Sequence, residues 1–336
     1  MSDAFEHQPV MAAEILEIFA VVPEGWVLDA TLGGAGHAAL LLENHSHLRV
    51  LGLDRDGDAL AAAQARLQVF GGRVATAHLR FDLLESAMEA LSIQSLSGAL
   101  FDLGVSSPQL DRAERGFSYR HDAALDMRMD QREQWSAADL VNGYDERLLA
   151  QTLRRHGDER FATRIARAIV AARPIETTTH LAEVVVAAIP AAARRTGGHP
   201  AKRTFQAIRI EVNRELEVLP EGLRIAVEHT VVGGRIAVLS YHSGEDRIVK
   251  SVLRHAETGG CACPPELPCV CDAVQTVRVV RRIAKTATAA EKARNPRARS
   301  ARLRVVERIE PTRRGDTTNP SGPPNVYRPN MYRKER

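Results

Sequence analysis

Along the first third of the chain, short apolar runs alternate with amphipathic stretches. Met11 to Phe19 carries apolar residues at helical spacing. Trp26-Val-Leu-Asp29 and Val50-Leu-Gly-Leu-Asp54 are apolar runs that each end in an acid. Ala38 to Leu42 and Ala59 to Leu67 read as the helices that follow them. His78-Leu-Arg-Phe81 and Ser97-Gly-Ala-Leu-Phe-Asp102 read as two further buried strands. Strand, glycine turn, helix and strand in repetition predict a parallel sheet covered by helices on both faces. Ligands of such sheets bind beyond the carboxyl ends of the strands, so Asp29, Asp54 and Asp102 should share one crevice.

After Asp102 this rhythm stops. Gln109 to Asp130 is polar and irregular, and helices are predicted beyond it. They run from Asp145 to His156 (closed by Gly157), from Glu159 to Arg173 (closed by Pro174), and from His180 to Ala192 (capped by Thr178 or Thr179). The strand pattern returns at Gly233 to Ser240, whose carboxyl end delivers Tyr241-His-Ser243 to the same crevice. Glu245 to His255 reads as a helix, and Thr276–Val280 and Arg302–Val306 as closing strands. The predicted fold is therefore α/β, a Rossmann-like core split by a helical insertion between its fourth and fifth strands. Residues 1–110 and 213–310 form the core in this reading, and 111–212 form the insertion that roofs the crevice. Residues 311–336 shift to Pro, Gly, Asn, Thr and Arg, with six basic residues against two acids. They are expected to be a disordered tail with a salt-sensitive attraction for phosphates.

Composition narrows the class. Of the 336 residues 44% are hydrophobic, enough for a core and too many for a wholly disordered chain. The 45 Lys and Arg nearly balance 42 Asp and Glu, so a net charge of +3 does not announce a nucleic-acid binder. Arg outnumbers Lys 40 to 5, a bias that phosphate recognition and a biased genome both produce. No uncharged run approaches the ~18 apolar residues of a membrane span. Met1 to Val10 holds Asp3 and Glu6 and does not read as a signal peptide. All four cysteines fall between Cys261 and Cys271, which points to a reducing cytoplasm rather than a disulfide-framed secreted fold. Cys261-Ala-Cys263 and Cys269-Val-Cys271 have tighter spacing than the usual C-x2–4-C zinc knuckle. They are read as a buried thiol cluster in a hairpin-like excursion, with tetrahedral zinc as the alternative and no metal assigned.

Gly33-Gly34-Ala35-Gly36 is a loop that lets a ligand approach the main chain, and Asp54 lies about the ~20 residues on that suits a ribose-binding acid. Gly34, Gly36 and Ala39 also satisfy a loose dinucleotide fingerprint, so a nicotinamide cofactor must be excluded separately. Asp29 does so, because an acid before the loop would repel a pyrophosphate. It suits a ligand with a cationic amino group, such as S-adenosylmethionine. The order Leu-Asp-x-x-x-Gly-x-x-Gly, then Leu-Asp, resembles class I S-adenosylmethionine-dependent methyltransferases. In the insertion, Arg164, Arg167 and Arg173 read as a solvated face. Gly198 to Arg209 gathers Lys202, Arg203, Phe205 and Arg209 at a helix start. That grouping suits RNA phosphates with an aromatic for base stacking, or equally a polar helix start over a core Phe205.

A longer set of motifs follows in order. It comprises His7-x-Pro-Val10, Asp29 to His37, Leu53-Asp-Arg-Asp56, Phe101 to Leu110 and Arg115-Gly-Phe-Ser118. Leu125 to Asp130, Thr204-Phe-Gln-Ala207, Ser240 to Lys250 and Asn295 to Arg304 complete it. Together these resemble the bacterial 16S rRNA (cytosine-N4)-methyltransferases, the MraW/RsmH family, from His7 to about Val306. The resemblance implies methyl transfer to N4 of a cytidine (1402 in the usual rRNA numbering) in the P-site region of the 30S subunit. It maps cofactor contacts onto Ala35, Gly36, His37, Asp54, Phe81, Asp102 and Gln109, beside Asp29 and Gly34. Tyr241 and Gly244 stand where Phe and Leu are common in the family. Cytosine-N4 DNA methyltransferases use a Ser-Pro-Pro-aromatic motif after the fourth strand, and Ser106-Ser107-Pro108 is a degenerate counterpart. The N4–H acceptor is therefore sought at Asp102 or Ser106/Ser107, with Tyr241 and His242 positioning the base.

Overall fold

A computed structural model describes residues 9–106, 109–110, 112–195, 198–264 and 270–313. Its centre is a seven-stranded sheet in the order β3-β2-β1-β4-β5-β7-β6. The strands are β1 (Gly25–Asp29), β2 (Leu48–Leu53), β3 (Val74–Ala77), β4 (Leu96–Asp102), β5 (Thr230–Ser240), β6 (Val274–Val279) and β7 (Arg302–Arg313). Strands β1 to β5 pair in parallel, and β7 runs antiparallel to both β5 and β6. This is the mostly parallel, Rossmann-like sheet expected from the apolar runs. The middle strands are buried on both faces, which is why β4 reads Leu-Ser-Gly-Ala-Leu-Phe without polar alternation.

Helices cover both faces. Leu84–Ala90, Glu215–His229 and Ser243–Thr258 pack one side around Leu96, Phe101, Leu223 and Val249. Ala12–Phe19 and Gly36–Asn44 pack the other, around Ile15, Phe19, Leu41 and Leu100. Residues between β4 and β5 build a core of their own. It joins Phe117 and Met127 of the segment before Ala137 to Leu149, Ile165, Leu181 and Phe205 of the helices that end with Lys202–Val212. Ser136 and Asp139 form a capping box at the first of these helices.

Three details depart from the sequence reading. The third strand is Val74–Ala77, whereas Phe81 begins a 3-10 turn. Phe81 is apolar because it packs edge-on against Phe101, not because it lies in a strand. The helix expected from His180 begins at Thr178 and ends at Ala188, with Thr177 as its cap. Its Oγ1 accepts the His180 N–H at 3.3 Å. Strand β7 continues to Arg313, so the basic tail starts later than residue 311, and residues 314–336 lie outside the described residues.

Candidate active site

Four adjacent strands end at one edge of the sheet and present Asp29, Asp54, Asp102 and Tyr241 there. Register makes this inevitable, since Asp29 pairs with Leu100 of β4 and Gly52 of β2. The loop after β1 is tied to these acids. Gly33 N donates to Asp54 Oδ2 at 2.7 Å, and Asp56 N donates to Asp54 Oδ1 at 2.8 Å. Thr31 N donates to Asp29 Oδ1 at 3.3 Å, while Thr31 Oγ1 accepts from Asp102 N at 2.8 Å. Ala35 adopts the left-handed conformation (φ 57°) and starts the helix Gly36–Asn44, whose second residue is His37. Gly33 and Ser106 face each other, a Cβ on the glycine meeting Ser106 Cβ at 3.7 Å.

The electrostatics of this edge ask for a cation. Asp29 is buried, and burial pushes its carboxyl up to about 7, with His37 opposing and Asp102 and Asp54 adding to the rise. Burial likewise raises Asp54. His37 is 5% exposed, and neither ring nitrogen has a hydrogen-bond partner; Nε2 stops 3.6 Å from Asp102 Oδ2. Asp102 Oδ1 instead accepts from the Tyr241 hydroxyl at 2.5 Å. Burial, then the Asp102 charge, drives the Tyr241 hydroxyl well above its ordinary pKa, so it remains a donor. Clustered acids with an orphaned imidazole fit a ligand bearing ammonium, sulfonium and hydroxyl groups, which describes S-adenosylmethionine.

Asp29 then predicts a pH response. Its folded pKa lies above the usual 3.8, so ionisation opposes folding, and the ligand-free chain loses stability as pH rises towards about 7. A cationic ligand prefers the ionised acid, so affinity for S-adenosylmethionine should fall as pH drops below about 7. The decline should approach tenfold for each of roughly one to two pH units. Calorimetric titration across that range measures it, and Asp29→Asn should flatten the profile. An equally steep profile in the variant would remove Asp29 from the ligand.

A buried polar cluster braces the site from the insertion side. Gln109 donates to Asp56 Oδ2 at 2.9 Å and accepts from Ser106 N at 3.0 Å. Arg115 lies 2.9 Å from Asp56, both side chains being 4% exposed, and also donates to the carbonyls of Arg128 and Met129. Asn213 accepts from Met129 N and donates to Met127 O, closing the same seam. Gln109 therefore stands where it was expected but spends its amide on Asp56 and Ser106. Arg115→Ala would leave Asp56 buried without its charge partner. It should cost about 3–5 kcal/mol of stability in urea unfolding, and a loss below about 1 kcal/mol would contradict the buried-pair reading.

Other expected residues go elsewhere. Phe205 is 4% exposed and packs edge-on to Tyr119, so it belongs to the insertion core and offers no stacking face. Arg209 is half-buried in a two-pronged pair with Glu215 at 2.8 and 2.9 Å, so its guanidinium is committed to that carboxylate rather than free for a phosphate. Lys202 and Arg203 remain exposed, Arg203 donating to Asp158 O at 2.9 Å. Phe81 lies in the core beneath the helix Glu215–His229. His242 caps the helix Ser243–Thr258, its Nδ1 accepting from Glu245 N at 3.4 Å. Ser107 and His7 lie outside the described residues. Glu245, Thr31, Asp56 and Arg115 stand within the family-like motifs, but sequence alone gives them no site role. Glu245, 2% exposed, accepts from Tyr241 N at 2.7 Å and so fixes the segment that aims Tyr241.

Comparison with known proteins gives the family. A profile of the MraW methylase family matches residues 4–309. The ribosomal RNA small subunit methyltransferase H of Symbiobacterium thermophilum is 50% identical over 313 residues, covering 91% of this chain and 98% of that protein. The same-named protein of Geobacter sp. strain M21 is 50% identical over 310 residues, covering 91% and 99%. A solved rRNA methylase from Clostridium thermocellum aligns with a TM-score of 0.42 at 14% identity, covering 90% of this chain and 98% of that one. The seven-stranded, mostly parallel sheet is that of a class I, S-adenosylmethionine-dependent methyltransferase. Within that class the chain belongs to the MraW methylase family. Among the described residues, no helix is long and apolar enough to cross a membrane.

Proposed function

We propose that this chain methylates N4 of a cytidine in 16S rRNA, position 1402 in the P-site region of the small subunit. The names of the 50% identical relatives support a small-subunit rRNA substrate. The observation that carries the chemistry is the Tyr241–Asp102 pair at the carboxyl ends of β5 and β4.

A cytosine N4 amine is a poor nucleophile because its lone pair is delocalised into the ring. It needs an acceptor for N4–H, help in pyramidalising, and alignment with the methyl donor, which can contribute several kcal/mol. S-adenosylmethionine, when bound, supplies a methyl group made electrophilic by its sulfonium. Asp29 and Asp54 would hold its ammonium and ribose, and the Gly34–His37 turn would complete the cofactor site. Asp102 accepts N4–H and takes up the proton that N4 loses. Tyr241 keeps that carboxylate oriented by donating to Oδ1, leaving Oδ2 for substrate. Ser106 is the alternative acceptor, since its Oγ is buried without a hydrogen-bond partner. Attack from nitrogen requires no cysteine nucleophile, and the target base must leave its stack to reach the pocket.

Residues 111–212 serve as the recognition unit in this reading, with exposed Lys202 and Arg203 contributing phosphate contacts. The function is tested by digesting rRNA from cells with and without the gene and searching for N4-methylcytidine by mass spectrometry. Loss of that nucleoside at 1402 is expected without the gene, with restoration by purified protein acting on 30S particles. An unchanged modification would refute the assignment.

A further inference from the structure

The helix that starts at the active site with the His242 cap ends at Thr258, 16 residues later, and thus about 24 Å away. Immediately beyond it the chain leaves the sheet, carries Cys261 and Cys263, and returns through Cys271 into the edge strand β6. The neck of this excursion is tight. A Cβ on Gly259 (φ 62°) would lie 2.3 Å from Val274 N, so the outgoing and returning chains touch there. Gly260 (φ 73°) and Asp272 (φ 52°) are also left-handed, and these turns direct both strands of the neck inward. Asp272 is tied at 3.1 Å to Arg313 at the end of β7.

The result is that the Sγ atoms of Cys261, Cys263 and Cys271 all lie within 4.8 Å of one another. Two of these residues are half-buried and Cys271 is exposed, so the described thiols are not the buried cluster expected from sequence, and Cys269 lies outside the described residues. The surroundings do not explain the convergence by packing. Val270 is 85% exposed, and between Val270 and the start of β6 only Ala273, among the described residues, is buried. Sulfurs about ~2.3 Å from a tetrahedral zinc stand ~3.8 Å apart, within the observed spacing. Thiolates select soft or borderline ions, and a surface segment whose described residues are mostly exposed is where a structural ion replaces packing.

We propose that Cys261, Cys263 and Cys271 form a structural Zn(II) site that staples the helix Ser243–Thr258 to the edge strand β6. Binding displaces the thiol protons and changes no oxidation state. C-x-C spacing is workable here because the third thiolate comes from the returning strand rather than from a second turn of the same knuckle. The site lies outside the methyl-transfer crevice and does not depend on the substrate assigned above.

The test uses full-length, untagged protein purified under reducing conditions without chelator. Elemental analysis should find about one zinc per chain. Chelator-treated protein given Co(II) should show the sulfur-to-metal charge-transfer and visible bands of tetrahedral thiolate coordination. Cys263→Ser should bind Zn(II) at least about tenfold more weakly while still binding S-adenosylhomocysteine in calorimetry, which shows that the core is folded. Wild-type protein that takes up no zinc from zinc chloride would overturn the proposal. So would a disulfide between any two of the three in a non-reducing peptide map, or full zinc content in the Cys261→Ser/Cys263→Ser double variant.

Discussion

Asp54→Ala is expected to weaken S-adenosylhomocysteine binding by roughly 100-fold or more and to abolish turnover. The carboxylate does two things at once. It accepts from Gly33 N and Asp56 N, fixing the loop after β1 and the start of the next helix, and in the proposed reading it would meet the ribose from the end of β2. Hydrogen bonds to a charged group contribute about 1.5–3 kcal/mol each, and losing two that act together reaches that magnitude. Asp54→Asn separates the two roles, because the amide oxygen can still accept one backbone N–H. Calorimetry for binding and a methyl-release assay for turnover give the comparison. Unchanged turnover in Asp54→Ala would sink the placement of the cofactor.

The second large effect falls on chemistry rather than binding. Asp102→Asn should lower kcat by about 10²- to 10⁴-fold, the usual contribution of a positioned proton acceptor, while cofactor affinity changes only slightly. Tyr241→Phe removes the donor at 2.5 Å from Oδ1 and should cost less, roughly tenfold, because the carboxylate itself remains. The order matters more than either value. If Tyr241→Phe proved as severe as Asp102→Asn, the hydroxyl itself would be touching the base. If Asp102→Asn kept full kcat, the acceptor would have to be sought at Ser106.

What the sequence revealed was local. Asp29, Asp54 and Asp102 could be placed because each closes an apolar run, and the strand order then forces neighbouring carboxyl ends together. Residue type alone left open what burial decides. Phe205 and Arg209 suited either an RNA-binding group or a helix start over a core Phe205, and the structure takes the second, with Phe205 in the insertion core. Arg209 finds Glu215 just past the end of its helix. The helix Glu215–His229 was not legible because Pro220 interrupts its pattern as a breaker would. Partnerships across long intervals left no trace at all. Arg115 reaches Asp56 across 59 positions, and nothing near either residue marks it as half of a buried pair. The cysteines were visible as a spacing, but their convergence depends on Gly259 and Asp272 turning left-handed at the neck.

The hydrogen bond between Tyr241 and Asp102 joins residues 139 positions apart. A ribosome adding ~5–20 residues per second therefore finishes the cofactor-binding strands several seconds before it delivers the strand that completes the reaction centre. The intervening helices, with their own core, have time to fold in the interval. Until β5 docks beside β4, the nascent chain holds the ligand-facing acids but not the tyrosine that orients the acceptor.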